Sequence, residues 1–222
     1  MTSAVIVAAG SSRRMGFDKL FAELAGKPVL ARSIEAFANH PEVSELIVVS
    51  SAENLERIQQ LLVEIPNARV ILGGTERCHS VRNGLNEISA QAELVSVHDG
   101  ARPLIHEDSI SACLERAHSS GAAACARRVT ETVKRADETG RVVAGVDREN
   151  LWTMETPQCF RVELLRRAYD HVVAEQLLVT DEVSAIEALG EPVFLVENPH
   201  PNPKITYPSD LDLATRLLES SS

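Results

Sequence analysis

Three cations near the N-terminus are the residues best placed to do chemistry. Arg13, Arg14 and Lys19 stand in the run Ala8-Ala9-Gly10-Ser11-Ser12-Arg13-Arg14-Met15-Gly16-Phe17-Asp18-Lys19, opposed only by Asp18. The chain as a whole carries a formal charge of −10, so this local excess of positive charge invites a polyphosphate. Ala9, Gly10, Ser11 and Ser12 leave room for a ligand to lie against backbone N–H groups. The run is not a P-loop, because Met15 stands where GxxxxGK needs its second glycine. It is not a GxGxxG fingerprint either, since Ser12 follows Gly10 at that spacing. Several mobile cations without a tight glycine cradle suit reaction at an α-phosphate with pyrophosphate leaving. A solvated basic turn is the plainer alternative for any single arginine.

Other stretches add to this. Gly73-Gly74-Thr75-Glu76-Arg77, with Ser80 following, can bring backbone groups against a base edge, or can be a tight turn with a capping serine. His98-Asp99-Gly100-Ala101-Arg102-Pro103 offers a carboxylate for ligand hydroxyls and a planar guanidinium fork for phosphate, or an Asp–Arg pair bracing the turn. His98 reads as structural rather than catalytic. Arg148 lies in Asp147-Arg148-Glu149-Asn150-Leu151-Trp152, and the stiff segment Asn198-Pro199-His200-Pro201-Asn202-Pro203 delivers Lys204.

The elements that must position these groups alternate. Val5 to Ala8 is apolar without alternation, as a strand covered on both faces should be. Further strands are expected at Leu46 to Val49, Val70 to Leu72, Leu94 to Val97 and Ala122 to Ala126. Helical stripes fall between them, for example Val29, Leu30, Ile34 and Phe37, then Val81, Leu85 and Ile88. This βαβα order predicts an α/β fold, a doubly wound and mainly parallel sheet. Ligands then collect at the carboxyl ends of the strands, where all three loaded turns fall.

After Ala126 the pattern changes. Arg128 to Arg135 and Arg141 to Val146 are extended runs separated by the turn signal Asp137-Glu138-Thr139-Gly140. A lone hairpin is marginal in water, so this arm, about residues 129–150, is expected to project and pair with a second subunit. Folding back on its own domain is the alternative. Trp152 is expected to anchor the point where the arm leaves the body. Helices are expected at Arg161 to Gln176 and Asp181 to Leu189, a late strand at Val193 to Val196 and a closing helix after Pro208.

Composition bounds the rest. The 222 residues are 44% hydrophobic and 24% charged, ordinary for a globular protein of one domain or two small ones, and a single domain spanning 1–222 is expected. The acidic balance argues against a nucleic-acid partner, and no apolar run is long enough for a membrane. Cys78, Cys113, Cys125 and Cys159 lack metal or disulfide spacing, and no signal peptide precedes the first strand, so a cytoplasmic setting is expected.

The motifs AAGSSRRMGFDK (8–19), GGTER with Ser80, HDGARP (98–103), TETVKRA (130–136), DRENLW (147–152), TPQCF (156–160), VTDEVSAIE (179–187) and PKITYPSDL (203–211) run in order through almost the whole chain. As a set they resemble the 2-C-methyl-D-erythritol 4-phosphate cytidylyltransferases of the non-mevalonate isoprenoid pathway. The resemblance implies a nucleotidyltransferase or glycosyltransferase-A-like fold whose inserted hairpin is a homodimer arm. It implies transfer of CMP from CTP to the polyol phosphate, with Mg²⁺ carried mainly by the CTP phosphates and no assigned protein ligand. Arg14, Lys19, Arg148 and Lys204 would be the catalytic cations. Ala8, Ala9, Gly10, Gly74, Ser80 and Arg102 would bind CTP. Asp99, Arg102, Thr132, Arg148, Thr156 and Lys204 would bind the acceptor. A ribitol-5-phosphate cytidylyltransferase, a molybdenum-cofactor guanylyltransferase and a non-catalytic nucleotide-binding module are the alternatives. Asp18, Thr75 and Gly100 depart from the family's commoner Pro, Asp and Ala.

Overall fold

The computed structural model describes residues 1–10 and 16–220; Arg13 and Arg14, with the rest of 11–15, lie outside the described residues. The strands are β1 (Thr2–Ala8), β2 (Glu23–Leu24), β3 (Lys27–Pro28), β4 (Val43–Ser50), β5 (Ala68–Leu72), β6 (Leu94–Asp99), β7 (Ala122–Arg128), β8 (Val133–Ala136), β9 (Val142–Val146), β10 (Trp152–Arg161) and β11 (Phe194–Glu197). The helices are α1 (Val29–Ala38), α2 (Leu55–Leu61), α3 (Arg77–Glu87), α4 (Glu107–Ser120), α5 (Val162–Ala174), α6 (Glu182–Ala188) and α7 (Pro208–Ser220).

Seven of the described strands form one sheet in the order β11-β7-β10-β6-β1-β4-β5. All neighbours run parallel except β10, which is antiparallel to both β6 and β7. The sheet is covered on both faces, which is why Ala4 to Ala8 of β1 carry no polar alternation and why Ser96 and His98 of β6 are buried. One face packs Ile6, Leu30, Phe37, Leu46, Ile110 and Leu114; the other packs Val5, Val49, Leu85, Phe160, Leu165 and Ile186. Each such side chain taken fully from water contributes about 1.5–3 kcal/mol. Residues Ala122 to Ala126 are small because α4 presses on one side of β7 while Phe160 and its neighbours fill the other.

Strand β10 departs from the sequence expectation, which left residues 152–160 without an element. Its middle, Glu155-Thr156-Pro157-Gln158, shows neither alternation nor a continuous apolar run, and the Thr156–Pro157 bond is cis where the register with β7 shifts. The polar side chains are nevertheless buried and partnered. Glu155 accepts from Asn198 and Asn202, and Gln158 donates to Asp181. A pattern search for apolar residues passes over a strand whose inward groups are satisfied by side chains.

The arm is the continuation of the β7–β10 ladder. Val129 N donates to Leu151 O just beyond the last strand pair, and β8 and β9 then pair only with each other among the described strands. Asp137 closes the tip by accepting from Thr139 N and Arg141 N, and Gly140 takes the positive φ of 84° that the turn needs. At the base, the Arg128 guanidinium lies 4.3 Å from the Trp152 ring centre.

Candidate active site

The site is built where β6 ends. His98 is buried, and burial drives its pKa down to about 4, so it is neutral at pH 7. Its Nε2 donates to Arg102 O at 3.1 Å, which leaves Nδ1 to accept from the Thr156 hydroxyl at 3.0 Å. The same Thr156 oxygen accepts from Asp99 N at 3.0 Å. Strand β10 thereby fixes the backbone from which the Asp99 carboxylate projects.

That carboxylate is ringed by cations. Lys204 Nζ lies 2.7 Å from Oδ2, Arg77 Nη2 lies 3.4 Å from Oδ1, and Arg102 Nε lies 3.7 Å from Oδ2. Burial alone would raise the pKa of Asp99, but Lys204, then Arg77 and Arg102, hold it well below the usual carboxylate range. The fork of Arg102 is already engaged, with Nη1 donating to Asn202 O at 2.8 Å and Nη2 to Met154 O at 3.3 Å. As placed, Arg102 braces the proline-rich segment. Of the two sequence readings, a fork for a ligand or an Asp–Arg pair bracing the turn, the second matches the contact of Arg102 with Asp99. Its Nε is a buried donor with no hydrogen-bond partner.

Lys204 is delivered by a segment tied down on both sides. Asn202 donates to Thr156 O at 2.9 Å and to Glu155 at 3.2 Å, and Ile205 N donates to Ala101 O at 2.8 Å. Lys19 Nζ donates to Ile205 O at 2.8 Å, which ties the loop after β1 to the backbone next to Lys204. Asp18 lies 3.5 Å from Arg57 Nη1. It caps the 3-10 turn Lys19–Phe21 by accepting from Leu20 N, and it also accepts from Asn54.

The loop after β5 lies against the loop after β1. A Cβ on Gly73 would stand 2.6 Å from the Ala9 Cβ and 2.7 Å from Ser80 Oγ, so only glycine permits this approach. Gly74 N donates to Ser80 Oγ at 3.1 Å, and Ser80 Oγ donates to Glu76 O, so Ser80 is held both by the glycine turn and by the first turn of α3. Thr75 is occupied with His79 at 3.0 Å. Gly100 also fills a tight place, since a Cβ there would meet Leu30 Cδ1 at 2.7 Å.

The structure therefore links Lys19, Asp99, Arg102, Thr156 and Lys204 through contacts of side chains and backbone, with Ala9 and Gly74 just past the ends of β1 and β5 and Ser80 in the first turn of α3. Ala8 is buried at the end of β1 and Gly10 is exposed just past it. Thr132 and Arg148 sit on the exposed arm, where Arg148 donates to Thr130 O, and no described contact ties either to Asp99. Arg14 lies outside the described residues. Arg77, Glu182 and Tyr169 were missed. They are held together by contacts between distant parts of the chain, with only the GGTER and VTDEVSAIE motifs as local signals.

A resident metal does not fit this donor set. Asp99 is enclosed by three cations, and the buried Glu182 is bound by Arg77 and Tyr169. Among the described residues, His106, Asp108 and His200 come close enough to share an ion, but they are not part of the Asp99 network. One cavity of about 750 Å³ is lined by residues such as Glu93, Arg161 and Arg167 and by none of the site residues. A smaller one of about 460 Å³ is lined by Arg102, Glu155, Asn202 and Lys204.

Residues 2–220 match the IspD family model, described as 2-C-methyl-D-erythritol 4-phosphate cytidylyltransferase. A protein of that name from Caldanaerobacter subterraneus is 40% identical over 97% of this chain and 98% of its own length. One from Dehalococcoides mccartyi is 41% identical over 97% and 95%. Among solved structures, 4-diphosphocytidyl-2C-methyl-D-erythritol synthase from Anaerococcus prevotii superposes with a TM-score of 0.88 at 29% identity, covering 98% of both chains. The Francisella tularensis 2-C-methyl-D-erythritol 4-phosphate cytidylyltransferase gives 0.84 at 32% identity, covering 98% of this chain and 100% of that one.

Proposed function

The chain belongs to the 2-C-methyl-D-erythritol 4-phosphate cytidylyltransferase family, and from that premise we propose how its residues divide the work. It is a nucleotidyltransferase that transfers CMP from CTP to 2-C-methyl-D-erythritol 4-phosphate, giving 4-diphosphocytidyl-2-C-methyl-D-erythritol and pyrophosphate. An acceptor phosphate oxygen attacks the α-phosphorus, and the bond to the bridging oxygen of pyrophosphate breaks. The nucleophile is already an anion at neutral pH, so no general base is required. The barrier is the approach of two anions and the charge that builds as pyrophosphate leaves, which positioning and fixed cations lower.

In this reading Lys19 and Arg14 stabilise the α-phosphate charge, and Lys204 with Arg148 holds the acceptor phosphate. Asp99, Thr132 and Thr156 contact the acceptor, Arg102 braces the Lys204 segment between the two ligands, and Ala8, Ala9, Gly10, Gly74 and Ser80 receive the cytidine nucleotide. The single observation that carries the reading is that Lys204 pairs with Asp99 at the end of β6 while Lys19 is bound to the backbone one residue beyond Lys204. Mg²⁺ arrives on the triphosphate and takes no ligand from the described residues, in keeping with the cation-enclosed Asp99. The arm is proposed to complete a homodimer and to lend Thr132 and Arg148 to the other subunit's site. Its support is the exposure of Val142 (61%) and Val143 (51%) on a ribbon with no other strand beside it. A reducing, cytoplasmic setting is supported by the four free cysteines. No helix among the described residues is long and apolar enough to cross a membrane.

Pyrophosphate release over CTP and GTP, each with methylerythritol phosphate and ribitol 5-phosphate, tests the reading. Release is expected with CTP and methylerythritol phosphate. Equal turnover of the ribitol ester, or release from GTP, would overturn the assigned substrates.

A further inference from the structure

Glu182 is fully buried at the start of α6. Its Oε1 accepts from Arg77 Nη1 at 2.6 Å and from Tyr169 OH at 2.8 Å, and its Oε2 accepts from Arg77 Nη2 at 2.9 Å. The helix that carries it is itself fixed to the sheet. Gln158 of β10 donates to Asp181 at 2.9 Å and accepts from Val183 N at 3.2 Å. Arg77 therefore has one carboxylate in a close bidentate grip, while the Asp99 carboxylate stands 3.4 Å from Nη2. Charge-assisted pairs normally close to about 2.7–2.9 Å, and a free guanidinium prefers to take a carboxylate with both arms. Arg77 is held back from Asp99, whose other oxygen stays with Lys204.

We infer that Glu182 and Arg77 are positioning residues for the acceptor: Glu182 fixes the Arg77 fork, so that Arg77 restrains Asp99 from one side without capturing it from Lys204. This rests on the reading of Asp99 as an acceptor contact. When Glu182 loses its charge, the fork turns to Asp99, draws the carboxylate away from Lys204 and misaligns the hydroxyl-binding face. Among the described side-chain contacts, those of Glu182, Arg77 and Asp99 do not include Gly10 or Gly74, so the larger effect is expected on the acceptor.

The test is steady-state kinetics with both substrates varied, on Glu182→Gln, Tyr169→Phe and Asp99→Asn, with a thermal melt of each variant. Glu182→Gln is expected to raise KM for the acceptor by ~10-fold and to lower kcat, with KM for CTP within about twofold, as a small misplacement near the reacting groups does. Tyr169→Phe removes one hydrogen bond and keeps both charges, so a shift of roughly threefold in the same direction is expected. It also decides the matter if Glu182→Gln does not fold. Should Asp99→Asn raise the acceptor KM while Glu182→Gln and Tyr169→Phe do not, the inference is overturned and the reading of Asp99 stands. Should Asp99→Asn leave that KM unchanged, the reading fails and takes the inference with it. Equal rises in both KM values, alongside a lower melting temperature, would mark Glu182 as purely structural.

Discussion

The surroundings of Asp99 and the β8–β9 arm meet the demands of charge and apolar surface in opposite ways. Around Asp99 the charged atoms find partners within the chain, from Lys204, Arg77 and Arg102. On the arm, two valines face solvent, and Arg148 donates to the Thr130 carbonyl and attracts the neighbouring Glu131 carboxylate. The first region is organised by its own fold. The second leaves Val142 and Val143 uncovered, which supports the proposed role across a subunit boundary. A self-contained region should respond to mutation within each protomer, and a shared one should respond to mixing.

The largest effect is expected at Lys204. Lys204→Ala should lower kcat/KM by ~10²-fold or more, the loss typical of one preorganised charge donor. Near-normal turnover in a pyrophosphate assay would remove Lys204 from the site. Next, Arg148→Ala should raise the acceptor KM by ~10-fold, as loss of a charge-assisted contact does. Mixing and refolding it with the Lys204→Ala protein should restore activity, because a mixed dimer holds one intact core beside one intact arm. No recovery on mixing would place Arg148 in its own protomer's chemistry and end the contrast between the two regions.

The buried histidine sharpens the comparison through pH. Its folded pKa of about 4 lies below the ordinary 6.5, so the unfolded chain binds a proton first as pH falls. The associated stability is full above pH 6.5 and is lost as pH drops toward 4, which amounts to about 2 kcal/mol by pH 5. Urea unfolding at pH 7 and pH 5 should show this loss, and His98→Gln should flatten it. A wild-type midpoint that does not move would contradict the buried neutral imidazole. The smallest effect belongs to the arm. Val142→Thr should change protomer stability by less than about 0.5 kcal/mol, as exposed positions do. It should weaken self-association in sedimentation runs, and unaltered association would remove Val142 from any interface.

Much of this was legible in the sequence because local chemistry announced it. Val5 to Ala8 and Leu94 to Val97 read as strands since both their faces are covered. Asp137 to Gly140 read as a turn since only such residues close that tip. What stayed hidden depended on distance. Arg77 and Glu182 meet across 105 residues, and Glu182 next to Asp181 read as a second acid at a helix N-terminus. The structure separates the two: Asp181 accepts from Ser184 N and caps α6, and Glu182 turns inward. Arg102 was legible as part of the site, but its engaged fork followed from the path of residues 198–203, which no spacing reveals.

Strand β10 sets a rule for how such a chain can change length. Its neighbouring side chains serve different clients, with Thr156 at Asp99, Glu155 at Asn198 and Asn202, and Gln158 at α6. Because side chains alternate across a strand, adding or deleting one residue there would swap these assignments in a single step. The Asp137–Gly140 tip can absorb the same insertion without disturbing any of them. An insertion at the tip should therefore leave the Asp99 surroundings intact, whereas one between Glu155 and Gln158 should dismantle them.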